Sequence, residues 1–147
     1  MHLTENFTFG EMCRSAVAFR LKIKNKPAQG KEERMVVANL TNLCKQVLQP
    51  LRDHLGVAVK INSGYRSKEL NRKVKGASTS QHLVGEAADI KVESKEQACE
   101  WAQWIMDNCR FDQLLLERKG TTVWLHVSCK RDDSANRQEF RVIRSKE

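Results

Sequence analysis

No apolar run in the 147-residue chain approaches the ~20 residues that a bilayer-spanning helix needs. The opening residues, "MHLTENFTFGEM", lack the basic segment and apolar stretch of a secretory signal. The expectation is therefore a chain without a membrane span, synthesised in the cytoplasm, that reaches any outside target by release or another export route. The five cysteines (Cys13, Cys44, Cys99, Cys109, Cys129) are odd in number, and none stands in a CxxC spacing. This argues against a complete disulfide framework and a cysteine zinc site, and predicts buried, reduced thiols acting as small hydrophobes. Repeats and low-complexity tracts are missing. So are helix-turn-helix and zinc-finger spacings.

What remains is an ordinary globular composition, 40% hydrophobic and 30% charged. The length predicts one domain over residues 1–147, large enough to bury a core and expected to be a monomer. Its balance is basic, with a net charge of +8. Lys60, Arg66, Lys68, Arg72, Lys73 and Lys75 face only Glu69 in their stretch of chain. Such a surface attracts an anionic polymer, either nucleic acid or a cell wall carrying carboxylates. Tyr65 is the only aromatic there, so a stacking platform is missing and no specific nucleic acid is expected.

Along the chain, Thr8 and Glu11 form a capping-box pattern and Phe7 and Met12 a hydrophobic staple. They predict a helix from about Phe9 that ends before "KNKPAQGKEE". Met35, Val36, Leu40, Leu43, Val47, Leu48, Leu51 and Leu55 recur at helical spacing, with Pro50 expected to kink or split the helix and Gly56 to end it. "VAVKIN" (57–62) reads as a strand and "SKELNRKV" as a short helix capped by Ser67. Ser94 and Gln97 cap a helix to about Asn108 whose apolar face is Ala98, Trp101, Ala102 and Ile105. "FDQLLLE" and "TTVWLHVS" follow as a hairpin joined by "RKG", and "FRVI" as an edge strand.

The chemistry gathers in "SQHLVGEAADI" (80–90). In a strand starting at Ala87, Ala88, Ile90 and Val92 share the core face and Asp89 lies on the other. Trp124, His126 and Ser128 likewise share one face of their strand. His82, Asp89 and His126 together offer two imidazoles and a carboxylate. That set suits Zn²⁺ and leaves a fourth position open, as a catalytic site requires.

"SGYRS" (63–67), "SQHLVGEAADI" and "WLHVS" (124–128) resemble the zinc D-Ala-D-Ala carboxypeptidase and L-alanyl-D-glutamate endopeptidase family. Its fold is shared by the vancomycin-resistance D,D-dipeptidase and the hedgehog signalling domain. The hallmark, S-x-H-x6-D followed by a strand histidine, is met in order by Ser80, His82, Asp89 and His126, and the likeness runs from about Leu3 through "ANRQEF". It implies an α+β fold, a small antiparallel sheet with flanking helices. It also implies a Zn²⁺ peptidase that cuts peptidoglycan stem peptides at D-Ala-D-Ala or at L-Ala-D-Glu. Arg66 would bind a substrate carboxylate, for which a planar guanidinium is suited, and Ser80 the peptide backbone.

The dipeptidase type carries its general base three residues before the second histidine, where this chain has Val123. Glu117, on the preceding strand, is the expected base, with Glu86 as the alternative. A simple hairpin pairs Glu117 with Thr122, so that a bulge or twist must bring it nearer the histidine. The same pairing sets Gln113 opposite His126, to orient substrate or water. Two other readings stay open. Val123 suggests a hedgehog-like zinc module without catalysis, and the charge alone suggests a basic nucleic-acid-binding protein.

Overall fold

The computed structural model describes residues 1–144; the last three residues of the expected 1–147 domain lie outside the described residues. At the N-terminus, β1 (His2–Thr4) and β2 (Phe7–Thr8) form a two-stranded antiparallel sheet that the sequence reading did not anticipate. Thr8 and Glu11 make the predicted capping box for α1 (Phe9–Met12), and the staple residues Phe7 and Met12 are both buried. The helix stops there rather than running on toward Lys24. Ser15 is extended and accepts from Ala18 N at 3.1 Å, capping a separate α2 (Ala16–Leu21).

Next, α3 (Lys31–Leu43) continues through a π-helical turn, Cys44–Leu48, into α4 (Gln49–Leu55). Pro50 explains the interruption. It has no N–H to donate back along an α-helix and its ring crowds the preceding turn, so the wider turn comes first and Pro50 sits in the first turn of α4. Gly56, at φ +68°, ends α4 as predicted.

The "VAVKIN" strand is shorter and later than expected. Only β3 (Ile61–Ser63) pairs with β4 (Ala87–Lys91), after Lys91 N has donated to Lys60 O. Residues before Lys60 would run past the end of β4, where the chain turns into α6 (Lys95–Asn108), so they have no strand to pair with. Between β3 and β4 lie α5 (Lys68–Lys73), capped by Ser67, and a 3₁₀ turn at Gln81–Val84.

After α6 come β5 (Gln113–Lys119), β6 (Thr122–Ser128), a 3₁₀ turn at Asp133–Ala135 and β7 (Glu139–Arg144). The main sheet has the order β3-β4-β6-β5-β7, antiparallel except where β7 pairs parallel with β5 at the edge. The chain thus hops over the start of β5 to reach its far side. The result is the α+β class expected, with the "FRVI" segment at the sheet edge.

One face of the sheet (Ala88, Ile90, Leu114, Leu116, Leu125, Val127) packs with Leu40, Leu43, Val47 and Leu51 and with the predicted apolar face of α6. Burial of these side chains is the main driving force for this layer arrangement. Four cysteines join or border this core as expected, but Cys99 is exposed on α6. The opposite face of the sheet carries Asp89, His126 and Glu117.

Candidate metal centre

The 3₁₀ turn that carries His82 is held at both ends. Ser80 Oγ accepts from His82 N at 3.2 Å, and Gly85 closes the turn at φ +80°, where a side chain would press on Val36 of α3. The His82 ring is buried, with Nδ1 2.7 Å from Gly64 O. A carbonyl only accepts, so Nδ1 carries the hydrogen and Nε2 keeps its lone pair. The Gly64 carbonyl is there because the chain runs tight against Met12. Tyr65 N donates to Met12 O at 2.8 Å, and a Cβ on residue 64 would collide with that same oxygen.

Asp89 and His126 stand directly opposite each other in the β4–β6 register. His126 Nδ1 lies 3.1 Å from Asp89 Oδ1, and His82 Nε2 lies 3.4 Å from the same oxygen. Among the described residues, this trio is the one group of His, Cys, Asp and Glu side chains able to hold a metal ion, with all donors within 4.8 Å of one another. His82 Nε2 is also the one buried side-chain nitrogen or oxygen there with no hydrogen-bond partner.

A lone pair aimed at a carboxylate oxygen is unfavourable unless a cation sits between them. For ligand distances of about 2.0–2.1 Å, a tetrahedral site places its donors roughly 3.3 Å apart. The observed 3.1 and 3.4 Å fit such a site. Burial raises the Asp89 carboxyl, but positive charge at the two imidazoles, present when they are protonated, outweighs it and holds the group well below the usual carboxylate range. Its side of the site is therefore ionised and ready to ligate.

The hairpin register corrects the sequence reading. The turn is two residues, Gly120–Thr121, with Lys119 opposite Thr122, so Glu117 faces Trp124 rather than Thr122. Leu115, not Gln113, stands opposite His126. The shift brings Glu117 one diagonal step from His126 on the cleft face, with no bulge needed. Trp124 Nε1 donates to Glu117 Oε2 at 3.1 Å and so orients the carboxylate. Burial and then the Asp89 charge push the Glu117 carboxyl up, against His126, Trp124 and His82. Val123 is partly buried and packs against the core.

Arg66, Ser80, Glu86 and Gln113 all line one cleft of about 680 Å³ with the trio, Leu115, Glu117 and Trp124. Arg66 is held by Ser63 Oγ at 3.2 Å and Asn71 Oδ1 at 3.0 Å, with Nη2 3.6 Å from Asp89 Oδ2. Gln113 Nε2 donates to Glu139 Oε1 at 2.8 Å.

The sequence reading missed the residues that set this frame. Asn25 Nδ2 donates to Cys13 O and Tyr65 O, and its Oδ1 accepts from Ser67 N, so it pins both sides of Arg66. Asn71 ties Arg66 to Ala77 O, and Gly76 leaves the room for that pair. For Trp124, alternation gives the His126 face but not its bond to Glu117. Nothing in the local spacing marks any of these, because each partner is distant in sequence.

A family model described as Peptidase M15 matches residues 5–128, well over half the chain. The chain therefore belongs to the M15 peptidases, which are metallopeptidases. No curated protein matches it.

Proposed function

We propose that this M15 peptidase is a zinc enzyme that hydrolyses stem peptides of peptidoglycan, with His82, Asp89 and His126 holding the metal. The observation that carries the proposal is the unpartnered lone pair of buried His82 Nε2, aimed at Asp89 beside His126 at tetrahedral donor spacing. When bound there, zinc would supply Lewis acidity, polarising the scissile carbonyl and bringing a water's pKa to about 7.

The chain's own residues then have separate tasks. The Glu117 carboxylate takes a proton from the attacking water and returns it to the departing nitrogen as the C–N bond breaks. Trp124 holds that carboxylate on the cleft face through its indole N–H. Arg66, kept charged by Asp89 and Glu117 despite burial, offers its guanidinium to a substrate carboxylate. Ser80 and Gln113 bind and orient the peptide along the cleft wall. The peptidoglycan assignment draws on the resemblance of the three motifs and on the basic surface.

Digestion of purified muropeptides, with fragments identified by mass spectrometry, tests the proposal. Release of D-Ala or cleavage at L-Ala-D-Glu is the expected result and names the bond. Intact muropeptides after incubation with zinc-loaded protein would refute the substrate.

A further inference from the structure

The cleft does not end at the metal centre. Along β6 the cleft face runs from Trp124 through His126 to Ser128, and each two-residue step advances about 7 Å. Beyond Ser128 the wall is built by Lys130 and Arg137, from the segment that follows the family-matched region.

Arg137 is rigidly mounted. Its backbone N and its Nε each donate to Asp112 Oδ1 at 2.9 Å, and its Nη2 donates to Asp112 Oδ2 at 2.9 Å. Asp112 is fully buried and also accepts from Gln81 Nε2 at 3.0 Å, one residue before His82. Lys130 Nζ lies 4.0 Å from the same carboxylate. The guanidinium is held along one edge, while the side chain stays half-exposed on the cleft. Of the nearby acids, Glu139 is engaged by Gln113, and Glu86 alone lines this end. Asp112 balances one of the two cationic charges, so what this end offers is less an excess of charge than a fixed, half-exposed guanidinium with Lys130 beside it.

We propose that Arg137 and Lys130 form a second subsite, which holds a carboxylate of the peptide about two to four residues from the scissile bond. The substrate is then an acidic peptide bound on both sides of the metal centre. This rests on the peptidase reading above but adds to it, since Arg66 lies at the opposite wall. A pre-mounted guanidinium loses little freedom on gripping a carboxylate, which is why its fixation by Asp112 matters.

The test uses two stem peptides that differ only in one carboxylate on the side of Lys130, free or amidated, with zinc-loaded full-length protein. A charge-assisted bond predicts that wild type prefers the free acid by about 10- to 100-fold in kcat/KM. In Arg137→Gln that ratio should fall to near one, and in Lys130→Gln it should shrink. Loss of the Asp112 bonds will also cost stability, but damage to the fold lowers both peptides together and leaves the ratio alone. An unchanged ratio in both variants would overturn the subsite, whatever their activity. Cleavage of neither peptide by wild type would instead sink the hydrolase reading. Equilibrium binding of the same two peptides then decides the subsite, and equal affinities would overturn it.

Discussion

Glu117 shows how one side chain's role depends on a partner that sequence spacing hides. Its alternation along β5 placed it on the His126 face, which is legible from the chain alone. Its orientation is not, because Trp124 Nε1 reaches it across the hairpin. Glu117→Gln keeps the shape without a proton acceptor. It should retain zinc and the thermal midpoint of wild type while losing about 10²–10⁴-fold in kcat, the usual size of a general-base contribution. Trp124→Phe keeps an aromatic ring but removes the indole N–H with its five-membered ring, and should cost about tenfold by releasing a hydrogen bond to a charged group. Near-normal turnover by Glu117→Gln would move the base elsewhere, with Glu86 next in the cleft. The metal trio was more readily legible than the frame around it. His82, Asp89 and His126 stand in a motif, whereas Asn25, Asn71 and Gly76 act through long-range contacts.

Among the elements, the hairpin and the tail diverged most from expectation. Placing the connection at "RKG" and pairing Glu117 with Thr122 left four residues, 118–121, between the paired positions. The chain instead uses the favoured two-residue turn, with Gly120 at φ +61° in its first position. That change slides every cross-strand partner by two residues and is what brings Glu117 close to the site. Alternation was legible because it belongs to one strand; register was not, because it belongs to the turn.

The tail is latched by Asp112, just before β5. Burial raises this carboxyl, but the bonds from Arg137 and then Gln81 outweigh it and hold it at about 2. An unfolded aspartate titrates near ~3.9. The folded state thus binds this proton more weakly, so its contribution is complete above about pH 4 and is lost as the pH falls toward 2. Urea unfolding across that window should show wild type losing on the order of 2 kcal/mol that Asp112→Asn does not lose. Parallel pH profiles for the two proteins would contradict the latch.

At the scale of the whole molecule, the fold brings four separate stretches of chain to one cleft: the "SGYRS" loop, the His82 turn with β4, the β5–β6 hairpin, and the tail through Arg137. The net charge of +8 concentrates no stacking aromatics, and three of its cations, Arg66, Lys130 and Arg137, line the cleft. Glu86, Asp89 and Glu117 line it too, so the pull on an anionic peptide comes from the basic molecule as a whole and its capture from the individual cationic side chains. Everything in this account depends on the three ligands acting as one metal centre. The most direct measurement is the zinc content of purified protein, by elemental analysis, for wild type and single alanine variants. Wild type should carry about one zinc per chain, and His82→Ala, Asp89→Ala and His126→Ala should each lose it. His2→Ala and His54→Ala should keep it, since His54 stacks on Trp104 away from the cleft and His2 lies in β1. Full zinc occupancy in any two of the three ligand variants would contradict the account.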